Sequence, residues 1–176
     1  MGLQLIFVVE TNKSCKSDWI YIKDTIDRFF KYDNAHTKFT PLYLGGRGNY
    51  SKKQREIKSY ISQYASTSKQ NRSKVIFCFD CDNYDGNPDD SRFIKEAQQY
   101  CKEHGYDFVW FCRDIEHVYL GKSVPEKDKK PESVRFKANK MIKNIEKSRL
   151  SADGFKLQSS NIMNVLSKHL EQKDNT

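Results

Sequence analysis

Residues 75–82 read VIFCFDCD, and the reading of this stretch decides the fold. Val75–Phe79 is an apolar run without polar alternation, the pattern of a strand covered on both faces. The run ends on Asp80, and five carboxylates then fall within eleven residues, at Asp80, Asp82, Asp85, Asp89 and Asp90. A chain of formal net charge +8 thus gathers negative charge at the tip of its most buried strand.

Working outward, Leu3–Glu10 (LQLIFVVE) is a second apolar run and Tyr106–Cys112 (YDFVWFC) a third. Lys38–Leu44 (KFTPLYL) is a shorter strand. Its Pro41 lacks the N–H that a ladder needs, which places it at a sheet edge. Between these strands lie helical patterns. Ser17–Tyr32 spaces Trp19, Ile22, Ile26, Phe29 and Phe30 behind a Ser/Asp cap. Lys52–Tyr64 carries Ile57, Tyr60, Ile61 and Tyr64, and Asp89–His104 is stopped by Gly105. Strictly alternating strands and helices imply an α/β, Rossmann-like three-layer fold with a four-stranded parallel sheet. With the Pro-bearing second strand at an edge, the strand order is 2-1-3-4.

The texture changes after residue 119. Gly121–Ser133 (GKSVPEKDKKPES) reads as an exposed loop, Val134–Leu150 as one basic helix and Ser160–Leu170 as a last short helix, with a polar frayed tail beyond. The expected organisation is an α/β core over 1–119 and a basic helical extension over 120–176, packed as one unit. The extension holds 13 Lys and Arg against 7 Asp and Glu, whereas the first 119 residues hold 18 against 16. A positive bias of this kind points to a polyanionic partner such as DNA or RNA. Lys137, Lys140, Lys143 and Lys147 line up as a basic stripe on the expected helix.

No apolar run reaches the length of a membrane span. The opening MGLQLIFVVE has no basic region before its apolar residues and passes straight into a strand. A cytoplasmic chain with no membrane association is expected, and nothing in the sequence sets an oligomeric state. Five cysteines, an odd number mostly within apolar segments, read as reduced packing thiols. The lone Cys78-x-x-Cys81 has no second pair for zinc.

In the order 2-1-3-4, the chain leaves the first and third strands in opposite directions, and open α/β sheets bind ligands at that switch point. Glu10 ends the first strand and Asp80 the third. If the chain stays extended beyond Asp80, Asp82 points the same way. Three carboxylates there call for a divalent cation, and oxygen-only ligands suit Mg²⁺ or Mn²⁺. Glu10, Asp80 and Asp82 are therefore the candidate metal ligands and catalytic groups. Asp89 or Asp90 serves as a helix cap. Lys13, after the first strand, and Arg47, in the GGRG turn after the second, are the candidate substrate contacts.

VVE on the first strand and FDCD on the third, in a βαβαβαβ order, resemble the Toprim domain. Among its members the chain looks most like the small nucleases of the OLD and RloB types, associated with bacterial phage defence. The resemblance implies a Toprim fold, Mg²⁺- or Mn²⁺-dependent cleavage of nucleic-acid phosphodiesters by Glu10, Asp80 and Asp82, and a partner ATPase. The glycine that follows the family's glutamate is Thr11 here. RDIEHVYLG, residues 113–121, resembles the segment after the fourth strand of RloB-type proteins, which makes Glu116 a fourth acidic ligand. His117 beside it reads as packing or surface. Two other classes use similar parts. A phosphatase of the haloacid-dehalogenase kind carries its D-x-D on the first strand, and a sugar-nucleotide transferase is a longer chain. The non-enzyme alternative is a nucleic-acid-binding or regulatory module that retains the acidic pocket without turnover.

Overall fold

In the computed structural model, which describes residues 1–174, the three long apolar runs and the Pro41 strand lie side by side in one parallel sheet. The chain runs β1 (Leu3–Val9), α1 (Ser17–Phe29), β2 (Phe30–Lys31), β3 (Thr37–Tyr43), α2 (Gln54–Thr67), β4 (Arg72–Asp80), α3 (Pro88–His104) and β5 (Asp107–Phe111). It continues through α4 (Ile115–Leu120), α5 (Glu126–Ala138), α6 (Lys147–Leu150), α7 (Ile162–Leu166) and β6 (Glu171–Gln172). The sheet order is β3-β1-β4-β5, so β1 and β4 are the inner strands and Pro41 lies on the β3 edge.

Side-chain alternation divides the inner strands between two cores. Leu5, Phe7, Val9, Ile76, Cys78, Val109 and Phe111 face α1, α4, α5 and the C-terminal helices. Ile6, Val8, Val75, Phe77, Phe79 and Trp110 face the other way, onto Ile57 of α2 and Ile94, Ala97 and Cys101 of α3. Both faces are covered, which is why the strands read as unbroken apolar runs. This is a Rossmann-like α/β arrangement. All five cysteines are free thiols, and among the described residues no helix is long and apolar enough to cross a membrane.

The outer edge of β5 is closed by the C-terminal segment. Asn161 accepts from the Trp110 N–H and donates to the Phe108 carbonyl, both at 3.0 Å, and the Cys112 N–H reaches the Ser159 carbonyl at 2.9 Å. Covering an edge in this way removes a site for strand addition.

Five local expectations are corrected. The loop expected over 121–133 is helical from Glu126, with Pro131 inside α5, and the helix expected over 134–150 breaks at Ala138. Lys140 adopts φ 52, after which Met141–Asn144 forms a 3₁₀ turn and α6 is a single separate turn. The stripe Lys137–Lys147 is therefore not one helix face. α1 starts at Lys16 in the left-handed region with no side-chain cap, so Ser17 and Asp18 lie in its first turn. In α3 the cap is Asn87, which accepts from the Asp89 N–H at 2.9 Å, rather than Asp89 or Asp90. The expected frayed tail contributes β6, antiparallel to β2. Its last two positions, 175 and 176, lie outside the described residues.

Candidate active site

The β1–β4 register pairs Val9 with Cys78, so the two strands deliver Glu10 and Asp80 to the same end of the sheet. There the Asp80 N–H donates to Glu10 Oε1 at 2.9 Å. Asp80 Oδ1 in turn accepts from the Ile115 N–H at 2.9 Å, which ties β4 to the start of α4. A pocket of about 270 Å³ opens beside them. Its wall comprises Glu10, Thr11, Asp18, Asp80, Glu126 and Lys129, with Asn12 and the Gly45–Gly46 turn completing it.

Three of the expected acidic residues are brought together, and one is directed elsewhere. Glu10 and Asp80 line the pocket. Glu116 lies behind it, 0% exposed, and neither of its carboxylate oxygens has a hydrogen-bond partner. Asp82 does not follow the alternation expected of an extended chain. The strand stops at Asp80, Asp82 adopts φ 48, and its carboxylate pairs with Arg47 Nη1 at 2.5 Å. The other guanidinium nitrogen holds Asp90 at 2.7 Å, and the guanidinium lies over the Phe93 ring, 4.7 Å from its centroid. Arg47 is thus committed to two carboxylates and a ring instead of facing open solvent. Lys13 is exposed and lines a neighbouring groove. The glycines of the GGRG turn direct their N–H groups inward, Gly46 to the Glu10 carbonyl at 3.0 Å and Gly45 to that of Thr11 at 3.4 Å. Their positive φ values, 127 and 64, let the turn lie against the end of β1.

Two pocket residues were not legible as site residues. Asp18 reads in sequence as a helix cap, yet its Oδ2 accepts from the Thr11 N–H at 3.2 Å across the loop. Lys129 sits within EKDKK, a segment that reads as solvated loop. Its placement inside α5 brings Nζ within 3.6 Å of both Glu116 Oε2 and Glu126 Oε2. The only signals were an aspartate in the first turn of the helix after the first strand and a lysine run bounded by acids, and both patterns are common on surfaces.

Negative charge exceeds positive charge in this pocket, and the carboxyls respond. Burial pushes the Glu10 carboxyl up to about 8, with Asp18 and Asp82 adding to the rise while the Asp80 N–H and Arg47 oppose it. Burial pushes Glu116 up to about 7 against the pull of Lys129. Asp80 is held well above the carboxylate range by burial and then by Glu10, and Asp18 is raised mainly by burial. Burial alone would lower the Lys129 ammonium, but Glu116, Asp80, Glu126 and Asp18 hold it above the usual lysine range. Lys129 is the pocket's built-in counter-charge.

The donor chemistry fits a hard divalent cation: the side chains able to ligate a metal there are all oxygen donors, the carboxylates outnumber the one lysine, and Glu116 is buried without a hydrogen-bond partner. The convergence is incomplete. Among the described residues no three His, Cys, Asp or Glu side chains are grouped to close around one ion. Glu10 and Asp80 are each engaged by a backbone N–H and Asp82 by Arg47. No family model, no curated protein and no solved structure matches the chain.

Proposed function

We propose that the protein is a nuclease that cleaves nucleic-acid phosphodiesters with Mg²⁺ or Mn²⁺, on a site of Toprim type. One observation carries the reading: Glu10, Asp18, Asp80 and Glu116 crowd the carboxyl ends of β1 and β4, with Lys129 as their close counter-charge. Sheet ends at a strand-order switch are where open α/β folds act on ligands, and such an excess of buried carboxylates is costly when ionised unless a cation offsets it. Glu10 and Asp80 would hold the ion, since Mg²⁺ needs only one or two carboxylates when waters and substrate oxygens complete its shell, and Asp18 lines the same pocket. When bound, the ion supplies positive charge to the phosphodiester in its transition state.

The chain's own residues supply the rest. Lys129 offers a second cation within the same pocket. Arg47, clamped by Asp82 and Asp90, braces the loop after β4 and orients Asp82. The resemblance that suggests this chemistry also suggests a setting in phage defence and an ATPase that delivers the substrate.

The test is cleavage of single- and double-stranded DNA and RNA by the pure protein with Mg²⁺, Mn²⁺ or EDTA, beside Asp80→Asn. Asparagine keeps an acceptor for the Ile115 N–H, so the fold is retained. The expected loss in rate is at least about a hundredfold, and EDTA abolishes cleavage by the wild-type protein. Equal cleavage by both proteins, or cleavage that persists in EDTA, overturns the assignment. One observation favours a second reading, a nucleic-acid-binding module without turnover: the carboxylates do not converge on one point. Salt-sensitive binding with no cation-dependent cleavage by any form of the protein would establish it.

A further inference from the structure

Eight of the chain's 31 Lys and Arg side chains line one seam that begins beside the carboxylate pocket. α1 and α5 run side by side over the same face of the sheet, and two grooves follow their junction. The first is lined by Lys13, Lys16 and Ile20 on one side and by Lys130 and Val134 of α5 on the other. The second, at the far ends of the same helices, is lined by Arg28, Lys137, Lys140, Lys143 and Lys173, with Asp24 and Asp27.

The spacing makes the two grooves one track. Lys16, Ile20, Asp24 and Arg28 recur every four residues and so lie along one face of α1. Lys130, Val134 and Lys137, spaced four and then three apart, share one face of α5. The helices run in the same direction, because Lys130 and Val134 meet the start of α1 and Lys137 meets Asp24 near its end. From Lys16 to Arg28 the seam is about 18 Å long at the helical rise, enough for about five phosphates of one strand.

The seam also joins the pocket directly. Asn12 and Lys129 line the carboxylate pocket, and their chain neighbours Lys13 and Lys130 line the first groove.

Eight cations line the seam against two carboxylates, one of which, Asp27, is already engaged. Asp24 is raised by burial and opposed by Lys137, while Asp27 is paired with Lys23 and accepts from the Tyr32 hydroxyl. Lys13, Lys16, Lys130, Lys137, Lys140 and Lys143 form no ion pair among the described residues. Some cations elsewhere are committed, as Arg47 is to Asp82 and Asp90 and Lys53 to Glu56, whereas Lys52, Arg55 and Lys58 near α2 are, among the described residues, as free of ion pairs as those of the seam and serve as its control. Val134, 52% exposed between Lys130 and Lys137, adds an apolar contact to an otherwise cationic strip.

We infer that the α1–α5 seam is the track on which a nucleic-acid strand lies, its sugar–phosphate backbone held by Lys13, Lys16, Lys130, Lys137, Lys140 and Lys143 and led into the carboxylate pocket. This rests on the nucleic-acid reading of that pocket and specifies the path, which the GGRG turn does not offer.

The test compares two charge-reversed triples with equal change in net charge. One alters the seam, Lys130→Glu, Lys137→Glu and Lys143→Glu. The other alters exposed cations near α2, Lys52→Glu, Arg55→Glu and Lys58→Glu. All six positions are solvent-exposed, so both triples fold, which circular dichroism and thermal melting verify.

Binding of a fluorescein-labelled single-stranded DNA, and of an RNA of the same sequence, is followed by anisotropy in EDTA across a salt series. The seam triple is expected to bind at least about tenfold more weakly and to lose about two from the slope of log K against log salt. The α2 triple stays within about twofold of the wild-type protein. Equal weakening of both triples means general surface charge and overturns the seam. So does an unaffected seam triple, an absence of binding by the wild-type protein, or equally tight binding of polyglutamate. Seam-dependent binding without cation-dependent cleavage would leave the seam standing and sink the nuclease reading.

Discussion

Glu10 is the residue on which the pocket's electrostatics turn. Its carboxyl is raised to about 8, so the native state retains a proton that the unfolded chain releases near the ordinary carboxylate range. The sign follows from linkage. The contribution of Glu10 is complete below the unfolded value and is lost as the pH rises through about 8. Glu116, raised to about 7, acts in the same direction. Metal-free protein should therefore lose stability between about pH 5 and pH 8. Glu10→Gln, which keeps an acceptor for the Asp80 N–H, should flatten that decline and stabilise the protein by about 2 kcal/mol at pH 8 but by little at pH 5. Chemical denaturation of both proteins at the two pH values decides it. A variant no more stable than wild type at pH 8 would show that Glu10 is ionised there without penalty. Lys129 shows the same physics from the other side, since its ammonium, 3.6 Å from Glu116, is what makes a buried carboxyl without hydrogen bonds tolerable near neutrality.

Among the elements, α3 shows how local sequence governs the site at a distance. Asn87 caps the helix with Pro88 at its first position. The first turn then carries Asp90, which holds both Arg47 and the Asn83 N–H, the latter at 3.2 Å. Asn87→Ala should cost about 1 kcal/mol, measured by thermal or urea unfolding, and an unchanged stability would mean that the cap bond is not formed in solution. The cap was hidden by richer neighbours, because DGNPDD offers several capping side chains and only the backbone geometry at 87, φ −124 and ψ 116, selects one. α5 was hidden for a different reason. Its sequence, EKDKKPESVRFKA, is too polar and carries Pro131, so no apolar stripe announces it. It is helical because Phe136 and Ser133 find a buried seat on the core while its charged face lines the seam. Tertiary packing overrides propensity here.

For the molecule as a whole, the segment beyond residue 120 is part of the core. Phe136, Leu150, Ile162, Met163 and Leu166 are each 0% exposed and pack in the cluster that contains Leu5 and Phe7 of the central strand. Each such side chain contributes about 1.5–3 kcal/mol on burial, and five of them together rival the total stability of a typical domain, about 5–15 kcal/mol. A chain ending at Lys122 should therefore fail to fold cooperatively, giving a collapsed amide spectrum and no sharp thermal transition. A well-dispersed spectrum would show that the first 122 residues stand alone.

What the sequence by itself determined is the part set by short-range periodicity: four strands, their alternation with helices, the edge position of the Pro41 strand, and the meeting of Glu10 and Asp80. Each of these follows from a pattern only a few residues long, because the backbone repeat imposes it. What only the tertiary structure decided is the charge pairing between distant segments. Arg47 turned to Asp82 and Asp90, Lys129 entered the pocket beside Glu116, Asp18 reached back to Thr11, and the lysines of a broken helix gathered with Arg28 along α1. Charged side chains have no period to read. Which partner each one meets depends on how the elements pack, and that packing is set by the apolar faces rather than by the charges themselves.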